Sequence, residues 1–186
     1  MSGMREFICI DITDFSCFEE LCSSRLFRDA CIRAVQAAGL HFTLHFLGEV
    51  NEEMNTEISG LLEDVVSRHR RFSVAFGGTG AFPTVQRPEV IWAGITAGEE
   101  LGIIHREIGK GLDALGIPIE HRRYKPHVTL ARLRCRPDAA SLEDFFSTWG
   151  DRRIGEQEIR SIKLKQSVLS QTGALHRTIH DAYLGQ

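Results

Sequence analysis

The chain has 186 residues, of which 42% are hydrophobic and 25% charged, a composition typical of one globular domain with a packed core. No run approaches the ~20 consecutive apolar residues of a transmembrane helix, and the first residues, MSGMREFICIDI, lack the apolar core of a secretory signal. The net charge of −3 disfavours a surface that binds nucleic acid over its whole extent. We expect a cytoplasmic monomer with no membrane partner.

In the first part of the chain, an apolar run predicts a buried strand over residues 6–12. A helix is predicted from Asp14, its N-cap candidate, to about Ala34, and a strand rich in β-branched and aromatic residues over 40–47, ended by Gly48. Asn51 is the expected N-cap of a helix that runs to about Arg70.

Further along, alternation predicts a strand over 72–76, a loop at GGTGAFP and a strand over 89–95. A helix over 99–115 should end at Gly116 and Pro118, and a strand over 127–133 precedes a helix from Asp138 to about Trp149. Strands over 158–169 and 175–183 are joined by the turn SQTG. The order β-α-β-α-β-β-α-β-α-β-β predicts an α+β or mixed α/β fold with two sheets facing each other.

The five cysteines are odd in number, irregularly spaced and without a CxxC pair: Cys9, Cys17, Cys22, Cys31 and Cys135. That spacing is poor for a metal site, and a cytosolic chain of this size does not need disulfides. We therefore expect structural roles for all five and no disulfide.

Two segments, HFTLHFLG from His41 and HVTLARL from His127, repeat the pattern His-x-Thr-Leu inside predicted strands. Residues two apart on a strand share a face, so Thr43 accompanies His41 and Thr129 accompanies His127. A single such histidine is more typical of a structural residue. Two copies, 86 positions apart, indicate one cleft that holds two imidazoles and two hydroxyls.

This set of groups suits in-line attack on a phosphodiester. One neutral histidine takes a proton from water, and the other, protonated, gives one to the departing ribose oxygen. The threonine hydroxyls can bind the non-bridging oxygens as their charge grows. A metal is not required, and His41 and His45, expected on one strand face about 13 Å apart, are too distant to chelate one ion.

A basic stretch, HRRYKPHVTLARLRCR, spans residues 121–136 without an acidic side chain. It contains six cations: Arg122, Arg123, Lys125, Arg132, Arg134 and Arg136. Such a patch in a mildly acidic protein suggests a small anionic target, although a solvated charged face has the same composition. Arg132 lies five positions after His127, on the opposite face of an ideal strand, so a bulge or twist must turn it toward a phosphate.

The chain resembles the bacterial and archaeal RNA 2′,3′-cyclic phosphodiesterases, or 2′-5′ RNA ligases, of the two-histidine (2H) phosphoesterase superfamily. The matching stretches follow the family order: REFICIDI, LHFTLHFLGEV, FPTVQRPEVIWAGI, KPHVTLARLR and IKLKQSVLSQTG. Two features depart from the family: VQAAGLH lacks the usual Glu-Asn pair, and His176 stands where a tyrosine is common, after Gly173.

The resemblance implies one bilobal domain over residues 1–186, with two pseudo-symmetric lobes whose antiparallel sheets face a central cleft and whose helices lie outside. It also implies hydrolysis of RNA 2′,3′-cyclic phosphate ends to 2′-phosphates without a cofactor, and the reverse 2′-5′ ligation. By the same resemblance His41 is the proton donor, His127 the proton acceptor and Arg132 a phosphate-binding residue. RNA ends, including tRNA fragments, or small cyclic nucleotides would be the substrates.

Three alternatives remain open. The first is a 2H enzyme acting on cyclic nucleotides, ADP-ribose cyclic phosphates or 2′-5′ oligoadenylate, and the second is a non-catalytic module that binds a nucleotide or an RNA end. A metal-dependent hydrolase would need clustered His and Asp ligands that the sequence lacks.

Phe82 and Pro83 are expected to wall the cleft or anchor a loop, and Trp92 is expected to lie in the core. Four further histidines are expected to be surface or packing residues: His69, His105, His121 and His180.

Overall fold

The computed structural model describes residues 5–119, 123–170 and 173–186. These ranges contain nine strands: β1 (Arg5–Asp11), β2 (Ile32–Ala34), β3 (His41–Gly48), β4 (Phe72–Thr84), β5 (Arg87–Ala97), β6 (His127–Leu133), β7 (Arg153–Ile159), β8 (Ser161–Ser170) and β9 (Gly173–Tyr183). Four α-helices accompany them: α1 (Ser16–Cys22), α2 (Glu52–Ser67), α3 (Glu99–Ala114) and α4 (Ala139–Trp149). Within the described ranges, no helix is long and apolar enough to span a bilayer.

The strands form an antiparallel arrangement in the order β7-β4-β5-β6-β3-β1-β8-β9, and the short β2 pairs with β6. Two four-stranded halves meet between β6 and β3, where the register contains a single pair, Phe42 with Val128. The two predicted sheets are therefore the two halves of one continuous sheet, joined by this pair between β3 and β6. Each half carries its His-x-Thr-Leu strand on the inner edge.

Several predicted elements are confirmed by their caps. The Asn51 side chain accepts a hydrogen bond from the Met54 amide (2.8 Å) at the start of α2. Asp138 accepts one from the Ser141 amide (3.0 Å) at the start of α4. After α3, Gly116 takes a positive φ of 76°, the backbone conformation that ends many helices.

The predicted helix over residues 14–34 is wrong. Helix α1 stops at Cys22, a 3-10 turn follows at Arg25–Arg28, and residues 32–34 form strand β2. The Asp29 carboxylate accepts a bond from the Cys31 amide (2.8 Å), so a local turn competes with the helix. Pairing with β6 then stabilises the extended conformation of β2.

The stretch GGTGAFP, expected as a loop, continues strand β4. A Cβ on Gly80 would lie 2.2 Å from the Trp92 ring, so the glycine is required by close packing rather than by a turn. The strand expected over 158–169 is two strands, β7 and β8, separated at Arg160. The polar edge strand β7 pairs with β4, a partner that its own sequence does not reveal. Of the turn SQTG, Gln171 and Thr172 lie outside the described residues.

The expectation of free cysteines is wrong for one pair: Cys31 and Cys135 form a disulfide. They are 104 residues apart, and pairing of β2 with β6 brings their Cα atoms to 4.9 Å. Because β2 was predicted as helix, sequence reasoning had no means of bringing the two thiols together. Cys9, Cys17 and Cys22 are free.

Candidate active site

The junction of the two halves positions the four motif side chains. Phe42 and Val128 are fully buried on the core side of the sheet. Because side chains alternate along a strand, the residues on either side of this pair point to the opposite face. His41 and Thr43 on β3, and His127 and Thr129 on β6, are the residues that flank the pair of Phe42 with Val128. All four side chains remain partly exposed there.

Each motif histidine is oriented in the same way. Nδ1 of His41 bonds to the Gly39 carbonyl oxygen (2.8 Å), and Nδ1 of His127 bonds to the Lys125 carbonyl oxygen (2.8 Å). A carbonyl oxygen only accepts, so Nδ1 must carry the proton in both rings. Nε2 is thereby left as the nitrogen that can accept or give up a proton in the cleft.

The environment of His41 favours its neutral form. Burial is the main cause that lowers its pKa, and the charges of Lys165 and His127 act in the same direction. The Gly39 hydrogen bond and Asp11 oppose them without cancelling them. A lowered pKa means that His41 gives up a proton on Nε2 easily but carries that proton in only a minority of molecules at pH 7.

Aromatic rings wall each motif histidine. The His41 ring lies 5.1 Å from Phe7 and 4.9 Å from His176, between ring centres. The His127 ring lies 5.1 Å from Phe82 and 6.1 Å from Trp92. Trp92 was expected in the core, but its ring lies between Gly80 and the cleft because only a glycine leaves room for it. Phe82 walls the cleft, one of the two roles expected for it.

A β-bulge in β6 turns Arg132 toward the cleft. Trp92 pairs with Thr129 and Ile91 with Ala131, which leaves Leu130 as the extra residue. Leu130 and Ala131 are both buried, so alternation resumes with Arg132 exposed on the face of Thr129. The bulge that Arg132 needs is therefore present.

An equivalent bulge occurs in β3. Cys9 pairs with Thr43 and Ile8 with His45, so Leu44 is the extra residue. As a result Phe46, 67% exposed, occupies in β3 the position that Arg132 occupies in β6. His45, expected on the face of His41, is instead buried, and its Nε2 bonds to the His105 carbonyl oxygen (2.9 Å).

Comparisons with known proteins identify the family of this chain. A model of the 2′-5′ RNA ligase superfamily matches residues 19–154. The chain is 36% identical over 151 residues to an RNA 2′,3′-cyclic phosphodiesterase of Aeropyrum pernix, an alignment that covers 81% of this chain and 85% of the relative. The chain belongs to the 2′-5′ RNA ligase superfamily.

Further comparisons extend the match over nearly the full length of the chain. A protein of Archaeoglobus fulgidus with the same name is 32% identical over 179 residues, covering 95% of this chain and 98% of that one. Among solved structures, TT0787 of Thermus thermophilus superposes with a TM-score of 0.81 at 24% identity, over 98% and 99% of the two chains. Escherichia coli LigT complexed with 3′-AMP gives 0.74 at 21% identity, over the full length of both. At these identities the structural likeness bears on the fold alone, and it confirms the α+β 2H fold.

Sequence reasoning missed an ionic cluster beside His41 in this superfamily member. Asp11 accepts a bond from the buried Lys165 (2.6 Å) and pairs with Lys163 (3.0 Å), which also reaches Asp181 (3.5 Å). Burial alone would raise the pKa of Asp11, but the two lysines lower it below its ordinary value. Lys163 and Lys165 lie two residues apart on β8, so the sequence predicts that they share a face of the strand. It does not reveal that Asp11 lies opposite them.

His176 is the third imidazole of the cleft. Burial lowers its pKa to about 4, with help from the charges of His41 and Lys165. It is therefore neutral at pH 7 and adds no charge beside His41.

The remaining histidines stand apart from the cleft. His105 stacks between His45 (4.3 Å) and Tyr124 (3.9 Å), while His69 and His180 contact Glu107 and Glu63. His121 and the neighbouring Arg122 lie outside the described residues. Within the described ranges, no group of three or more His, Cys, Asp and Glu side chains could hold a metal ion.

Proposed function

We propose that this protein hydrolyses RNA 2′,3′-cyclic phosphate ends to 2′-phosphates, with His41 as proton donor and His127 as proton acceptor. The observation that carries the proposal is the pairing of Phe42 with Val128, about which both motif histidines and both threonines face one cleft. Relatives named RNA 2′,3′-cyclic phosphodiesterase, 32–36% identical over most of the chain, support the same chemistry.

The reaction needs two proton transfers on opposite sides of the phosphorus. Nε2 of His127 takes a proton from water as its oxygen attacks, and the bond from phosphorus to O3′ breaks. Nε2 of His41 gives its proton to O3′, which leaves a 2′-phosphate. The bonds from Nδ1 to the Gly39 and Lys125 carbonyl oxygens hold both rings for these transfers.

Thr43, Thr129 and Arg132 are proposed to bind the non-bridging oxygens. Thr43 and Thr129 adjoin the paired residues Phe42 and Val128, as the two motif histidines do. Their hydroxyls donate to oxygens whose negative charge grows in the transition state. Arg132 supplies a guanidinium from the bulged part of β6, and such a group can bind two phosphate oxygens at once.

We also propose that the whole chain is one functional domain, because the site takes a histidine from each half. An RNA substrate, such as a tRNA fragment, implies a cytoplasmic location. The proposed chemistry uses no metal or cofactor, and ligation through a 2′-5′ bond is its reverse. A monomer suffices, since both motifs come from one chain.

The test is a substrate panel incubated with purified protein in a chelator. It contains an RNA oligonucleotide with a 2′,3′-cyclic end, 2′,3′-cyclic AMP and a 2′-5′ oligoadenylate. The expected result is conversion of the cyclic RNA end to a 2′-phosphate, with kcat/KM highest for that substrate. A preference for the oligoadenylate would favour the alternative phosphodiesterase. Binding of the RNA end without any turnover would favour the non-catalytic module.

A further inference from the structure

The two motif strands share little main-chain pairing. In the described register between β3 and β6, the pair of Phe42 with Val128 is followed by no second pair toward Thr43 and His127. Two imidazoles that act on opposite sides of one phosphorus must nevertheless keep a fixed position relative to each other. A further contact that ties one motif to the support of the other therefore bears directly on the reaction.

Tyr124 makes such a contact. Its hydroxyl donates to the main-chain carbonyl oxygen of Thr43 (3.2 Å), 81 positions earlier in the chain. The next residue, Lys125, supplies the carbonyl oxygen that orients the His127 ring (2.8 Å). One side chain thus connects the main chain of the first motif with the segment that orients the second histidine.

The segment that carries Tyr124 is itself fixed to the sheet. The Ile95 amide on β5 donates to the Pro126 carbonyl oxygen (3.2 Å), two residues after Tyr124. The Tyr124 ring is half-buried and packs against the core. Burial raises the pKa of its hydroxyl, which therefore keeps its proton and stays a donor at neutral pH.

Three rings form a stack that sets the position of the Tyr124 ring. His105 on α3 lies 3.9 Å from Tyr124 between ring centres, with 14° between the planes, and 4.3 Å from His45 on β3, with 16°. Nε2 of His45 donates to the His105 carbonyl oxygen (2.9 Å), which joins β3 to α3 at this point. Burial is the main cause that lowers the pKa of both imidazoles, to about 4 for His105, so the stack is mainly uncharged at pH 7.

We propose that Tyr124 is a positioning residue for the reaction: its hydroxyl, held in place by the ring stack, fixes Thr43 relative to His127. The inference rests on the proposed function, because it takes both motif histidines to act on one phosphate. Tyr124 need not contact the substrate. It acts through the main chain of the first motif, two residues after His41.

The kinetic test uses Tyr124→Phe, which keeps the ring in the stack and removes only the donor. With an RNA oligonucleotide that ends in a 2′,3′-cyclic phosphate, we expect kcat to fall roughly ten- to hundredfold, because misplaced groups slow the reaction. KM should change by less than about twofold, because the contacts to the substrate remain. Retention of kcat in a variant that has only lost stability would show a merely structural role and overturn the inference.

Tyr183→Phe is the matched control, because it removes the hydroxyl of the other tyrosine in the chain. That side chain is exposed, and its hydroxyl donates to the Asp181 carboxylate (3.1 Å). We expect its kcat to stay unchanged. A loss in Tyr183→Phe as large as that in Tyr124→Phe would also overturn the inference, and the proposed function would remain intact.

A second measurement does not depend on turnover. The charge of His127 lowers the pKa of His41, so the size of this effect reports how closely the two rings are held. In NMR titrations, His127→Ala should raise the pKa of His41 in the unchanged protein and raise it less in Tyr124→Phe, with Asp11 and Lys165 present in both. An equal or larger rise in Tyr124→Phe would overturn the inference. If the unchanged protein converts no cyclic phosphate, the proposed function fails, and this titration alone decides whether Tyr124 positions the two histidines.

Discussion

The pKa of His41 depends in part on two opposite charges held beside it. Asp11 pairs with His41 in the register of β1 and β3, and Lys165 donates to the Asp11 carboxylate (2.6 Å). Lys165 lowers the pKa of His41, whereas Asp11 raises it. The pair therefore adjusts how strongly His41 holds its proton, and neither group needs to contact the substrate to do so.

Removing these charges one at a time should move the pKa of His41 in opposite directions. In Lys165→Met the pKa rises because a nearby positive charge is lost, and in Asp11→Asn it falls because a negative charge is lost. NMR titration of the His41 ring measures both shifts, and Lys110→Met on α3 is the control for loss of a distant lysine. Shifts of the same sign in the two variants would contradict this account.

At the scale of elements, the site depends on close approach between strands β4 and β5. Gly80 on β4 leaves the space in which the Trp92 ring lies, and that ring contacts His127. The same ring packs against Phe82 at 5.5 Å. A side chain at position 80 would displace Trp92 and, with it, the wall of the His127 half of the cleft.

Gly80→Ala should therefore lower stability and activity together. Because the new Cβ would meet the Trp92 ring at 2.2 Å, we expect the free energy of unfolding to fall by roughly 1–3 kcal/mol. Urea denaturation measures this change, and Trp fluorescence reports the displaced ring. Gly60→Ala, with open space around the new Cβ in α2, is the control and should stabilise by up to about 1 kcal/mol. Equal stability of both variants would show that the contact can relax.

At the scale of the whole molecule, few strand pairings join the two halves. The strands meet through the single pair of Phe42 with Val128, and β2 adds a second connection to β6. The Cys31–Cys135 disulfide closes a loop of about a hundred residues across this junction. Reduction would open the covalent link and leave the backbone bonds of β2 to hold its connection to β6.

Reduction should measurably destabilise the protein. A disulfide that closes a loop of about 100 residues restricts the unfolded chain and can stabilise the folded protein by up to roughly 4.7 kcal/mol. The midpoint of thermal unfolding should therefore fall when the disulfide is reduced. Thiol titration of the denatured, oxidised protein should find three free cysteines and, after reduction, five. Five thiols before reduction would show that the pair is not bonded. Cys31→Ser should reproduce the reduced midpoint.

Local patterns predicted the parts of this molecule that depend on the chain alone. Alternation placed Thr43 with His41 and Thr129 with His127, and the side-chain caps marked the starts of α2 and α4. The missed features depend on partners distant in the chain. The bulges at Leu44 and Leu130 exist only relative to β1 and β5, and they decide that His45 faces the core and Arg132 faces the cleft.

The assignment of His41 as donor and His127 as acceptor is tested most directly with a substrate that does not need the donor. In a 2′,3′-cyclic phosphate whose 3′ bridging oxygen is replaced by sulfur, the leaving thiolate departs without a proton. We expect His41→Ala to lower kcat/KM roughly 10²–10⁴-fold on the ordinary cyclic phosphate but by less than about tenfold on the sulfur analogue. His127→Ala should lose activity on both. Equal losses for the two variants on both substrates, or rescue of His127→Ala in place of His41→Ala, would contradict the assignment.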